Sequence, residues 1–152
     1  MSEVLSTALA IDDANQMYVT MRVDKQLFGI PVGNVRDVLR QQKITAIPLS
    51  APEIAGSLNL RGRIVTVISL RKRLHLSECE TPDKNMFVVV EHKGELFSLV
   101  VDSVGEVMTV SDYSIEKSPT NLAGKLKEIT TGIYKLSGEL LVIIDINAVL
   151  AI

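Results

Sequence analysis

Tryptophan is absent from this chain, and cysteine occurs once, as Cys79. A single thiol can form neither an internal disulfide nor a zinc cage, and such usage suits a reducing compartment. Aromatic residues make up only 4% of the chain, so Val, Ile and Leu must fill the interior. A basic excess is also missing. The 16 Lys and Arg are outnumbered by 18 Asp and Glu, for a net charge of −2, whereas a dedicated duplex binder carries a positive surplus to neutralise phosphates. The longest apolar runs, such as Leu140–Ile144, fall far below the roughly 18 residues of a membrane-spanning helix. The opening Met-Ser-Glu-Val-Leu lacks the basic and apolar regions of a signal peptide. A cytoplasmic location is expected.

Catalytic patterns are missing as well. The chain holds no phosphate-cradling loop, dinucleotide fingerprint or nucleophile elbow. Cys79 lies between Glu78 and Glu80, and neighbouring carboxylates discourage a thiolate. The two histidines, His75 and His92, are not spaced as a ligand pair and read as exposed side chains. The acids are scattered over turns. No enzyme activity, metal or cofactor is expected.

What is present is β structure. Tyr18–Val23 and Leu27–Val32 flank Asp24-Lys25-Gln26, and Ser57–Leu60 and Ile64–Ser69 flank Arg61-Gly62-Arg63. Phe87–Glu91 and Leu96–Val101 flank His92-Lys93-Gly94-Glu95, while Ile133–Leu136 and Leu140–Ile146 flank Ser137-Gly138-Glu139. Each is a β-rich run, a short polar turn and a second β-rich run, the pattern of a hairpin. Helix is expected to be short where it occurs. Val35, Val38 and Leu39 have helical spacing but fit equally a turn entering a strand. Leu122, Leu126 and Ile129, with Asn121 as N-cap, suggest a second short helix.

The four hairpins form two copies of a pair. Residues 17–39 overlie residues 86–108 without a gap, matching Met17 with Met86, Val19 with Val88, Phe28 with Phe97, Val35 with Val104 and Val38 with Val107. Asp37 meets Glu106. Further on, Gly56 meets Gly132 and Gly62 meets Gly138. The pattern predicts a tail over residues 1–16, with Val4, Leu5, Leu9 and Ile11 as a possible apolar helical face. It predicts one β subdomain over 17–80 and another over 84–152. Units of roughly 65 residues are marginal alone and should share an interface.

Two residue groups stand out for function. The segment Arg61, Arg63, Arg71, Lys72 and Arg73 reads as a solvated turn and strand end, as a docking surface for acidic groups, or as a nucleic-acid contact. The third reading is weakened by the lack of interleaved aromatics. Val35, Val101, Val104 and Val107 read as ordinary core, or as the lining of an apolar groove between the copies that takes a helix face.

Several segments resemble a known family. Phe28-Gly29-Ile30-Pro31-Val32 followed by Val35-Arg36-Asp37-Val38, then Ile44–Pro48, then Ile54-Ala55-Gly56-Ser57-Leu58-Asn59-Leu60-Arg61-Gly62-Arg63-Ile64, and finally Val100–Val107 together resemble the CheW family of chemotaxis coupling proteins. The resemblance covers about residues 17 to 150. It implies an all-β fold of two five-stranded SH3-like barrels on a shared hydrophobic core. It also implies a non-catalytic adaptor that binds the cytoplasmic tip of chemoreceptors and the regulatory domain of a CheA-type histidine kinase. Nucleic acid would be no partner, and the membrane would be met only through receptors. By motif position, the resemblance marks Val35, Asp37, Gly56, Arg61, Val101 and Val104 as partner-contact candidates, with Asp37 and Arg61 as a surface pair. Thr66 and Ser69 stand where the family usually has Pro and Asp, whereas the second copy keeps the acid as Asp145. The pathway served, flagellar, pilus-type or other, stays open.

Overall fold

The computed structural model describes residues 15–77, 81–117, 122 and 124–151. The expectations for residues 1–14, Cys79 and Asn121 lie outside the described residues. The described strands are β1 (Asn15–Val23), β2 (Gln26–Pro31), β3 (Val35–Arg40), β4 (Ile54–Leu60), β5 (Arg63–Ser69), β6 (Met86–His92), β7 (Glu95–Val101), β8 (Ser103–Ser111), β9 (Glu116–Lys117), β10 (Thr130–Leu136) and β11 (Glu139–Ile144). Among the described residues three short helices accompany them: α1 (Leu70–Arg73), α2 (Gly124–Glu128) and α3 (Ile146–Leu150). The fold is all-β, as read. The Val35–Leu39 ambiguity resolves in favour of strand, entered through a 3₁₀ turn at Val32–Asn34.

All four hairpins form at the expected places. Their two-residue loops need positive φ so that the turn matches the twist of the strands. Arg61 and Gly62 supply it at +53° and +82°. In the first loop Asp24 and Lys25 adopt it without glycine, at 49° and 72°, and the Asp24 N–H is held by the Asp102 carboxylate at 2.9 Å.

The strands form a six-stranded sheet, β8-β1-β2-β11-β10-β9, and a five-stranded sheet, β3-β6-β7-β5-β4. Neither sheet comes from one copy of the repeat. The β1–β2 hairpin pairs with β8 and, in parallel, with β11. The matching β6–β7 hairpin pairs with β3 and, in parallel, with β5. The first hairpin of each copy has thus been exchanged into the other copy's sheet. Residues 17–80 and 84–152 mark the halves of the repeat, not separate sheets.

This exchange buries both faces of the central strands, which explains their unbroken apolar runs. Alternate residues of β7 serve opposite sides: Leu96 and Val100 pack in a cluster within the five-stranded sheet, while Phe97, Leu99 and Val101 pack in the core shared by both sheets. In β11, Leu141 and Ile143 face a cluster within the six-stranded sheet, and Val142 and Ile144 face the shared core. The shared core also takes Phe28 and Ile30 from β2 and Val88 and Val90 from β6.

Polar ties reinforce the exchange. Arg22 and Glu139 form two 3.0 Å bonds between hairpin turns. Arg73 donates to the carbonyls of Ala148 and Val149, tying α1 to α3. The N-caps of these helices are Ser69, which accepts from the Lys72 N–H, and Asp145, which accepts from the Ala148 N–H. Serine at 69 therefore keeps the capping role that an acid fills in the other copy. Thr66 sits in mid-strand between Ser57 and Phe97, a place suited to a β-branched residue.

Arg71 grips Asp102 with two bonds, 3.0 Å from Nε and 2.6 Å from Nη2. Burial pushes the Asp102 carboxyl up, but the Arg71 hydrogen bonds, the Asp24 N–H and the Arg71 charge together hold it below the ordinary carboxylate range. A carboxyl depressed in the folded state adds stability that is complete above the unfolded value of about 3.9 and is lost as pH falls through the lower folded value. Asp102→Asn is expected to cost about 2 kcal/mol at neutral pH, less than a fully buried pair because both side chains keep some exposure. It should also flatten the acid limb of stability measured by urea unfolding between pH 5 and 2. An unchanged acid limb would assign the tie no share of stability.

Candidate functional site

Five of the six candidate residues fall into two sets, with Gly56 standing apart, and a β-bulge divides Val35 of one set from Asp37 of the other. In a regular strand Val35 and Asp37 would share a face. The register of β3 on β6 shifts between them, so that Val35 lies opposite Val90 and Asp37 opposite Val89. Val35 therefore packs against the shared core, and Asp37 turns to the side of Val89, where the five-stranded sheet has its own cluster.

Val101 and Val104 join Val35 at the shared core. Val101 is 1% exposed and Val104 is half-buried. Val101 thus presents no surface of its own. Val107, on the edge strand β8, is 51% exposed, and its counterpart Val38, on the edge strand β3, is 36% exposed. Each edge strand thus carries an exposed valine beyond the half-buried one that packs on the shared core. None of Val35, Val101, Val104 and Val107 lines a described cavity.

Gly56 is buried at a bulge in β4. Its φ is +149°, and a Cβ there would fall far inside contact with the Ile44 side chain and the Thr45 carbonyl. Thr45 crosses it, bonding Ser57 in both directions at 2.8 Å. Gly56 is therefore the point where the backbone before β4 closes onto the sheet, and its contribution is shape.

Asp37 and Arg61 come together as expected, at 3.4 Å. Arg61 is held out on the tight β4–β5 turn with its side chain 81% exposed; Asn59 Oδ1 accepts from the Gly62 N–H and braces that turn. Such a pair contributes little to stability, so its placement matters more than its strength. The second copy has Glu106 and Ser137 at the matching positions, and the pair has no counterpart there.

Around the pair lies a recess of about 220 Å³ at the mouth of the five-stranded sheet's cluster. Leu60 and Leu96 give it an apolar floor over the fully buried Val89, and Arg36, Asp37, Arg61, Arg63 and Glu91 supply its charges. Arg36 is fixed to Glu91 at 2.7 Å and to the Gly33 carbonyl at 2.8 Å. Arg36, Glu91, Leu60, Val89 and Leu96 escape the sequence reading because the β3–β6 and β5–β7 pairings that gather them join strands far apart in the chain and leave no local spacing.

The basic segment does not form one patch. Arg61 meets Asp37, Arg71 meets Asp102, Arg63 donates to the Gly94 carbonyl, and Arg73 meets α3. His75 is exposed, and His92, expected in a turn, is the partly buried last residue of β6. No cluster of metal-ligating side chains occurs among the described residues, and no described helix is long and apolar enough to cross a membrane.

Comparison with known proteins gives these features a setting. The CheW-like domain family model matches residues 17–152. A chemotaxis protein CheW of Bacillus subtilis is 35% identical over 140 residues, spanning 92% of this chain and 89% of that protein. The chemotaxis protein CheW of Treponema pallidum is 27% identical over 143 residues, spanning 91% and 84%. The crystal structure of the scaffolding protein TtCheW from Thermoanaerobacter tengcongensis superposes with a TM-score of 0.82 at 28% identity, covering 90% of this chain and 93% of that one. With the match running from β1 through α3 and the overall fold held in common with a solved relative, the chain belongs to the CheW-like domain family.

Proposed function

We propose that this chain is a non-catalytic adaptor of chemotactic signalling, coupling methyl-accepting receptors to a CheA-type histidine kinase. It works in the cytoplasm and joins membrane-associated receptor arrays. One observation carries this reading: similarity to the Bacillus subtilis chemotaxis protein and to the scaffolding protein TtCheW spans about nine-tenths of each chain. The relatives' whole architecture is retained, not one borrowed module.

A coupling protein needs two separate surfaces, and the fold offers two of different chemistry. The seam edge, with Val35 and Val104 half-buried and Val38 and Val107 exposed, suits the apolar face of a receptor's helical tip. Val101 supports that edge from beneath, and Gly56 sets the shape of the neighbouring sheet. The recess holding Asp37 and Arg61 suits a charged partner. Modest single affinities would be strengthened by avidity in an array. The nucleic-acid alternative gains no support from the dispersed arginines.

The test is co-sedimentation of the purified chain with a CheA-type kinase and receptor-containing membranes, alongside Arg61→Asp. The wild type is expected to pellet with both partners and to stimulate kinase autophosphorylation. The variant, with two like charges now facing at Asp37, should lose about tenfold in binding to one partner at unchanged melting temperature. A folded wild type that binds neither partner would overturn the adaptor reading.

A further inference from the structure

The recess around Asp37 and Arg61 contains one cation that the pairing there does not use. Its charged lining is three arginines against two acids, in a chain whose net charge is −2. Arg36 is committed to Glu91, and Asp37 is met by Arg61. Arg63 donates one 3.2 Å bond to the Gly94 carbonyl, and among the described residues no carboxylate lies within ion-pair distance of it. That bond anchors the guanidinium on the neighbouring hairpin turn without neutralising it. Arg63 is exposed, and it opens β5 on the same face as Val65 and Val67, which pack in the cluster beneath. It therefore stands at the rim of an apolar floor.

We propose that Arg63 is a specificity-determining residue of this surface, closing with Arg61 on a carboxylate of a protein partner whose adjoining aliphatic side chain seats on Leu60 and the exposed edge of Leu96. The inference rests on the adaptor reading and adds to it the chemistry of the partner: an acidic residue beside an aliphatic one. Charge complementarity over a partly dry floor selects such a partner. A guanidinium binds a carboxylate through two parallel bonds, and the apolar floor lowers the screening that weakens such a pair in open water. The bulge in β3 and the tight β4–β5 turn hold the recess in shape before the partner arrives, which limits the ordering cost of binding.

The experiment measures the affinity of the full chain for a CheA-type kinase and, separately, for receptor-containing membranes, using the wild type, Arg63→Glu and Arg63→Lys. Circular dichroism confirms that each variant melts as the wild type does. Arg63→Glu is expected to weaken binding to one of the two partners about tenfold and to leave the other unchanged. Arg63→Lys, which keeps the charge and loses the fork, should fall between. The wild type's dependence on salt for that partner should be steeper than that of Arg63→Glu. If the wild type binds both partners and Arg63→Glu binds both equally well, the recess is overturned and the adaptor reading stands. If the wild type binds neither, both fall together.

Discussion

Residues 15–77 produced alone are expected to remain unfolded, although they contain one whole copy of the repeat. In the intact chain β1 and β2 lie between β8 and β11, while β3 and β5 are joined only through β6 and β7. Removing the second copy leaves the β1–β2 and β4–β5 hairpins with no shared sheet, and β3 with no strand beside it. An isolated hairpin is at best marginally stable. The shared core would lose Val88, Val90, Leu99, Val101, Ile133, Val142 and Ile144 at one stroke. At about 25 cal/mol per Å² of apolar surface, seven such side chains represent on the order of 10 kcal/mol, the scale of a domain's whole stability. The expected result is a coil-like far-UV spectrum without a cooperative thermal transition, and recovery of β structure when residues 81–151 are added. A cooperative transition in residues 15–77 by themselves would mean that each copy can close its own sheet, and that the exchange is one arrangement among two.

Gly56→Ala is the point substitution with the largest expected loss, about 4 kcal/mol. Two independent costs meet there. At φ +149° the backbone occupies a region that side chains rarely tolerate, worth about 1–3 kcal/mol. The new methyl group would also press on the Thr45 carbonyl, which is backbone already bonded to Ser57 and unable to swing aside, and overpacking of this kind costs typically 1–3 kcal/mol. The matching Gly132→Ala is a built-in control. Its Cβ would meet the Ile115 side chain at 2.6 Å and the Glu116 carbonyl at 3.1 Å, a real crowding, but its φ lies outside the strained positive range. It should cost about half as much. Denaturant unfolding of both variants checks the difference. Equal losses would show that crowding alone, and not backbone conformation, makes the glycine necessary. A fall in partner binding by Gly56→Ala should track the folded fraction, since the residue offers no exposed side chain.

Much of this molecule is written in short-range pattern. Four hairpins, the duplication and the all-β class all follow from residues near one another in the chain or at matching places in the repeat, whereas the Asp37–Arg61 pair was legible only through the family resemblance. Alternation and turn chemistry act over a few residues, and the sequence displays them directly. Even the small errors are local: β1 starts at Asn15, before the tail was expected to end, and the six-stranded sheet gains the two-residue β9.

The tertiary structure alone decided which hairpin joins which sheet. Both arrangements of a duplicated unit satisfy the same hydrophobic pattern, because β1 and β6 carry equivalent residues and each could pair at home or across. Burial on both faces favours the exchanged form, in which each hairpin covers the shared core and a smaller cluster at once. The division of the candidate site was equally hidden. A one-residue bulge in β3 sends Val35 inward to the shared core and Asp37 to the mouth of the five-stranded sheet, and no property of Val35-Arg36-Asp37 by itself announces it. The partner strand β6, some fifty residues away, sets that register. Long-range pairing therefore determined where the charged recess lies and which arginines share it.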